Sequence, residues 1–320
     1  MVGLWRKSLL KKLPISETLE KRGFFMMQGS MVALITPFTK DNAVDYPALK
    51  ELIQWHIKEG TDAIVCLGTT GESPTINEEE RRKIINLSVQ TTKKRVPIIV
   101  GTGTNDTKKS YELTLQAKHL GADAALVIVP YYSKPSFRGC MAHFQYVAKA
   151  GLPIILYHHP GRTGIVLPVE IIEAMAKEKS IMAVKDSTCD LNYVEKLIKR
   201  VEVPILSGDD LLTIAMMQMG AKGVISVCAN VIAKEIKNIV ARCFAKEFAK
   251  AKEEEKVFHP LMKSLSLEVN PQGVKYAVSL LGKCKPFLRL PMIEPLEETK
   301  SAINHAMESI SLMQTSLQKG

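Results

Sequence analysis

The sequence predicts an α/β protein, a (β/α)8 barrel (TIM barrel) with additional C-terminal helices. Eight short apolar runs recur at even spacing from Met31 onward, rich in Val and Ile and scarcely alternating, as in strands buried on both faces of a parallel sheet. An amphipathic stretch separates each run from the next. Four near-copies of one joint, "EGTDAIV", "LGADAAL", "AGLPIIL" and "MGAKGVI", place a glycine at a helix end just before a strand. Right-handed crossovers between parallel neighbours leave a barrel or an open doubly wound sheet. An open sheet calls for a dinucleotide or phosphate loop, but "GTGTND" at Gly101 lacks the third glycine and no G-x-x-x-x-G-K-[ST] occurs.

Taken in order, residues 1–28 form a basic N-terminal extension with six basic and two acidic side chains. It lacks the apolar core of a secretory signal, so it is expected to be disordered or a leader upstream of a true start near Met26 or Met27. The strands read as "VALITPF", "AIVCLG", "PIIVGTG", "AALVIVPYY", "PIILYHH", "IMAVKDS", "PILSGDD" and "GVISVCA". Asp45 and Asp106 are N-cap candidates for the first and third helices, and Asn77 with Glu80 reads as a capping box for the second. After Ala229 the pattern is helical to the end. The chain therefore divides into a catalytic barrel over 29–245 and a C-terminal helical region over 246–320.

Composition excludes several classes. The chain of 320 residues is 46% hydrophobic and 24% charged, with no apolar run near the ~20 residues of a membrane helix. Of its formal charge of +10, +4 lies in the N-terminal extension and the remaining +6 is thinly spread, with Lys246, Lys250, Lys252 and Lys256 alternating with glutamates as on a solvated helix face. No nucleic-acid or membrane partner is indicated. Six cysteines without a C-x-x-C pair fit reduced thiols in a cytoplasm.

In such barrels chemistry collects at the C-terminal ends of the strands. Lys185, directly after "IMAV", is expensive on a buried strand unless its charge is paired or removed, which suits a nucleophilic amine. The alternative is a lysine whose ammonium reaches out at a strand end. Asp186 should point to the other side of the strand. A Schiff-base amine needs a proton shuttle, for which Tyr157, Tyr132, Thr69 and Thr70 are candidates, with rim packing the bland alternative for each tyrosine. Gly68 and Gly71 let backbone N–H groups approach a carboxylate, and Arg162 offers a bidentate fork for another. His158 and His159 are adjacent, so their side chains diverge, and no metal site is expected. Asp209 and Asp210 lack a second acidic pair for carboxylate acid–base work.

With these residues assembled, the sequence resembles the dihydrodipicolinate synthase family, within the pyruvate-dependent aldolases. The resemblance runs from Ser30 to Ala306 and rests on "GTTGE", "GTG", "PYY", "Y-x-x-P-x-R-T-G", "K-[DE]-[ST]", "SGDD" and "GVISV-x-AN" in order. It implies a lyase of lysine and diaminopimelate biosynthesis that condenses pyruvate with L-aspartate 4-semialdehyde through an imine on Lys185, without metal or organic cofactor. It further implies that Tyr157 moves protons at the imine and that Thr69 links it to Tyr132, supplied by the neighbouring subunit of a tight dimer within a tetramer. Thr70 would hold the pyruvate carboxylate and Arg162 the semialdehyde carboxylate, with Gly208 and the Ile225 carbonyl lining the pocket.

Arg162 in "GRTG" favours the synthase over related N-acetylneuraminate lyases and keto-deoxy-sugar-acid aldolases; an idle barrel acting as a scaffold is the non-enzyme alternative. Two departures stand out. "YHHPGRTG" replaces the usual "YNVPxRTG", and "KDST" replaces "KE". In the family's lysine feedback site Ser73, Asn105 and Tyr131 match, but Glu78, Arg81 and Lys109 occupy the remaining positions, so lysine inhibition is expected to be weak or absent.

Overall fold

The computed structural model describes residues 27–317, so the expected N-terminal extension lies outside the described residues except for Met27 and Gln28. Eight parallel strands close in sequence order: β1 (Gly29–Ala33), β2 (Ala63–Cys66), β3 (Ile98–Gly101), β4 (Ala124–Ile128), β5 (Ile154–His158), β6 (Ile181–Asp186), β7 (Ile205–Ser207) and β8 (Gly223–Ser226). β8 pairs back onto β1, which makes the sheet a barrel. Helices α1 (Tyr46–Lys58), α2 (Glu78–Thr92), α3 (Thr107–His119), α4 (Phe137–Ala148), the single turn α5 (Pro160–Thr163), α6 (Val169–Ala176), α7 (Leu191–Arg200), α8 (Thr213–Met219) and α9 (Ala233–Phe244) connect and follow the strands. The expected (β/α)8 architecture is what the chain forms.

Local chemistry sets the boundaries. Asp45 accepts from Ala48 N at 3.0 Å and Asp106 from Lys109 N at 3.0 Å, so both expected caps are made. Asn77 and Glu80 form the reciprocal capping box. The repeated joint works because Gly60, Gly121, Gly151 and Gly220 turn the chain at φ of 80°, 88°, 69° and 122°, a region open to glycine.

The strands are shorter than the apolar runs suggest. β1 begins three residues before "VALITPF" and ends at Ala33, because Ile35 N–H leaves the ladder to donate to Asn230 Oδ1 at 3.1 Å. Leu34, Ile35 and Phe38 stay buried as loop residues. Alternate strand residues face two apolar layers, which explains the runs without alternation. Met31, Val65, Ile99, Leu126, Ile155 and Ile225 fill the barrel interior together with Met27, while Val32, Ile64 and Ile98 pack outward against the helices.

Beyond α9 come α10 (Phe248–Lys256), α11 (His259–Ser264), α12 (Gln272–Leu280) and α13 (Glu297–Leu317). The expectation of helix to the chain end fails over residues 281–296, which are not helical. Pro286, Pro291 and Pro295 each lack the amide hydrogen that a helix needs there.

Candidate active site

β5 and β6 lie side by side with Tyr157 opposite Lys185 and His158 opposite Asp186. The two-residue period of a strand sends the first pair into the barrel and the second outward. Lys185 is 5% exposed, and its Nζ lies 4.4 Å from the centroid of the Tyr157 ring. Burial pulls the Lys185 pKa down to about 8; the Asp210 carboxylate opposes that shift and the Arg162 guanidinium adds to it. The shift leaves a larger share of the amine unprotonated near neutral pH than an ordinary lysine has.

Burial pushes the Tyr157 phenol up to about 12, and Arg162 and the hydroxyls of Ser187 and Thr69 offset part of the rise. A phenol held in its neutral form can donate a proton and take it back. Thr69 and Thr70 follow β2, where the chain leaves the barrel in a tight turn, and Thr70 is buried. Gly208 follows β7 and donates its N–H to Asp186 O at 2.7 Å. A Cβ there would stand 2.8 Å from Lys185 Cε and 1.9 Å from Ser187 Oγ, so only glycine lets the backbone pass the lysine. Ile225 sits on β8 in the interior layer.

A cleft of about 450 Å³ opens at this rim, lined among others by Thr69, Tyr157 and Arg162 and by Ser73, Arg81 and Tyr131. Tyr132 is elsewhere. It is 88% exposed in the loop after β4, at φ 69°, and the neighbouring Tyr131 lines the cleft instead. One chain thus gathers Lys185, Tyr157, Thr69, Thr70, Arg162, Gly208 and Ile225 but leaves Tyr132 on its surface.

The paired histidines diverge as their adjacency requires. His158 is buried on the outer face, where its Nε2 accepts from Leu167 N at 3.1 Å and its Nδ1 faces Asp186 Oδ1 at 3.2 Å. The Nε2 acceptor role fixes the Nδ1–H tautomer, so the ring donates to the carboxylate as a neutral group. Asp186 Oδ2 also accepts from Thr188 N at 3.1 Å and Oγ1 at 2.7 Å. His159 lies edge-on to the Tyr157 ring at 5.7 Å, and burial, followed by the Arg162 and Lys185 charges, pulls its pKa down to about 4. Among the described residues no group of three or more His, Cys, Asp or Glu side chains is placed to hold a metal ion.

The structure gives Asp210 a role that its acidic pair did not suggest, and brings in Asn270 as well. Asp210 is the half-buried carboxylate acting on Lys185, held by Ser226 Oγ, Val227 N at 3.0 Å and Cys228 N at 2.9 Å. Its motif, "SGDD", was visible but not its aim. Asn270, far along the chain, bonds Thr70 and Arg162, and no local pattern marks it.

A closed (β/α)8 barrel with a buried low-pKa lysine at a strand end is the arrangement of an imine-forming enzyme of the aldolase type. A family model described as the dihydrodipicolinate synthetase family matches residues 26–310, and the chain belongs to that family. The 4-hydroxy-tetrahydrodipicolinate synthase of Aquifex aeolicus is 44% identical over 291 residues, 90% of this chain and 99% of that one. The crystal structure of dihydrodipicolinate synthase from Aquifex aeolicus matches with a TM-score of 0.87 at 43% identity, over 89% of this chain and 99% of that chain. A chloride-inhibited dihydrodipicolinate synthase from Acinetobacter baumannii, complexed with pyruvate, matches with a TM-score of 0.87 at 39% identity, over 89% of this chain and 99% of that chain.

Proposed function

We propose that the chain is a lyase that condenses pyruvate with L-aspartate 4-semialdehyde to 4-hydroxy-tetrahydrodipicolinate, a step of diaminopimelate and lysine biosynthesis. The observation that carries this reading is the buried Lys185 amine, with its pKa near 8, against the Tyr157 phenol. The neutral amine attacks the C2 carbonyl of pyruvate, and loss of water leaves an imine. Loss of a C3 proton gives the enamine, whose C3 forms a bond to the aldehyde carbon of the semialdehyde. That carbonyl oxygen takes up a proton and becomes the hydroxyl. The semialdehyde amino group then attacks the imine carbon, closing the ring and releasing Lys185.

Tyr157 supplies and recovers the protons of these steps, with Thr69 beside it. Thr70 holds the pyruvate carboxylate and Arg162 the semialdehyde carboxylate, and Gly208 and the Ile225 carbonyl line the pocket. The exposed Tyr132 serves the site of a neighbouring subunit, which makes the working form a tight dimer, paired into a tetramer. Residues 29–245 act as the catalytic barrel and residues 246–320 as its helical accessory region. No metal or organic cofactor is required, so a chelator leaves turnover unchanged. We place the enzyme in the cytoplasm, where its six unpaired cysteines stay reduced.

The test is borohydride reduction with pyruvate, followed by a coupled assay with both substrates. Pyruvate should be trapped on Lys185, and product formation should require the semialdehyde and collapse in Arg162→Ala. Trapping without semialdehyde-dependent turnover would replace this reading with an aldolase of longer 2-keto acids; no trapping would overturn the imine altogether.

A further inference from the structure

The loop that carries Thr69 and Thr70 is held from outside the barrel. Asn270 Nδ2 donates to Thr70 Oγ1 at 2.9 Å, and the Asn270 backbone carbonyl accepts from Arg162 Nη2 at 3.3 Å. Two residues past Thr70, Glu72 is buried at φ 53° and forms an ion pair with the fully buried Lys275 of α12. Its other carboxylate oxygen accepts from Arg289 N at 3.0 Å. The Lys275 Nζ also stands 4.1 Å from the Phe38 ring. Two independent tethers from residues 270–289 thus converge on one turn of the active site.

The hydroxyl of Thr70 has one proton and two lone pairs. The Asn270 amide occupies a lone pair, so the proton is left to point elsewhere, toward an acceptor such as a carboxylate oxygen. Without that amide, the Thr70 hydroxyl is free to visit other orientations. The Asn270 main chain meanwhile anchors the residue that offers the other carboxylate site. Asn270 Oδ1 is buried and makes no hydrogen bond among the described residues, so the amide is committed to Thr70 through its nitrogen alone.

We infer that Asn270 is a positioning residue of the reaction, aiming the Thr70 hydroxyl at the pyruvate carboxylate while its backbone carbonyl sets the place of Arg162. This rests on the roles proposed above for Thr70 and Arg162. The C-terminal helical region is then a working wall of the site, and α12 and the segment after it hold the Thr69–Thr70 turn in register with the barrel.

The experiment compares Asn270→Ala and Asn270→Asp with the unaltered chain. Its readouts are the pyruvate concentration that half-saturates borohydride trapping on Lys185, and the KM of the semialdehyde. Asn270→Asp keeps the shape but replaces the donor with a carboxylate, which accepts the Thr70 proton and repels the pyruvate carboxylate. Half-saturation should rise roughly 10- to 100-fold in Asn270→Asp and less in Asn270→Ala, while the semialdehyde KM stays within about threefold because the backbone carbonyl remains. A space-filling role predicts the reverse order, with the isosteric Asp benign. Thr70→Val combined with Asn270→Ala should cost no more than Thr70→Val alone; additive losses would overturn the inference. So would a half-saturation unchanged within twofold in Asn270→Asp, or in Asn270→Ala if the Asp variant does not fold. Failure of the unaltered chain to trap pyruvate would instead sink the imine reading.

Discussion

Lys185 Nζ stands 4.4 Å from the centre of the Tyr157 ring, on adjacent strands whose register places the two residues directly opposite. Burial of the amine against this ring disfavours its charged form, and the Asp210 carboxylate offsets only part of that effect. With a pKa of about 8, roughly one-tenth of Lys185 is free amine at pH 7, against about three parts in ten thousand at the ordinary lysine value of 10.5. The rate of imine formation at limiting pyruvate should therefore climb about tenfold per pH unit below pH 8 and level off above it. Stopped-flow or quenched borohydride trapping across pH 6 to 10 measures this, and a profile still rising at pH 10 would contradict it.

The same shift makes Lys185 a liability for folding. Its folded pKa of about 8 lies below the ordinary 10.5, so between those values the unfolded chain binds more protons and stability rises with pH. Below pH 8 the full penalty applies, about 3 kcal/mol for a group this deeply buried. Lys185→Met should abolish trapping and yet stabilise the fold by about 1–3 kcal/mol at pH 7, with the gain fading toward pH 10.5. Urea unfolding of both proteins at pH 7 and pH 10 reads the difference. A destabilised Met variant at pH 7 would show that the amine is not the strained group described here.

His158 serves the outer face of the same strand pair. His158→Ala removes the donor to Asp186 Oδ1 and the acceptor for Leu167 N–H, both in a buried setting. Each orphaned group costs about 1–3 kcal/mol, and the lost ring leaves a cavity besides. Unfolding should be easier by about 3 kcal/mol or more, while the pyruvate half-saturation of the folded protein stays within about threefold. Lost trapping with unchanged stability would refute a purely structural role.

Much of this was legible in the sequence, and the reasons differ by element. The strands showed because both faces of a parallel barrel are apolar, and the joints because Gly60, Gly121, Gly151 and Gly220 must adopt positive φ. Lys185 and Tyr157 stood out as polar residues ending apolar runs, and their strand period also foretold that Asp186 would turn away. What stayed hidden depends on long-range packing. Asn270 and Lys275 lie about 200 residues from the turn they hold, with separations of 200 and 203 positions. A helical pattern reports which face is apolar, and it is silent on which distant loop that face will meet. The pairing of His158 with Asp186 was likewise invisible, since nothing in either run tells which strands become neighbours or in what register.

Arg81 shows why lysine should inhibit poorly. Its guanidinium is buried and already committed, Nη2 to Ser73 Oγ at 2.7 Å and Nη1 to Gly101 O at 2.8 Å. Ser73 is one of the positions that the family resemblance assigns to a lysine ligand, and the guanidinium already occupies one lone pair of its hydroxyl. Lys109 and Arg162 line the same cleft, which leaves Glu78 as the one carboxylate lining it against three cations. An incoming ammonium about 6 Å from one of these cations meets a repulsion of about 1–3 kcal/mol at the effective dielectric of a protein surface. That corresponds to roughly 10- to 100-fold weaker binding. Half-inhibition by lysine should accordingly lie above about 1 mM. Lys109→Glu, which exchanges repulsion for attraction while leaving Lys185 and Tyr157 untouched, should lower that concentration at least about tenfold without changing the uninhibited rate. Initial-rate assays over a lysine titration decide it: tight inhibition of the unaltered enzyme, or no gain in the Lys109 variant, would mean that cleft charge does not govern the response.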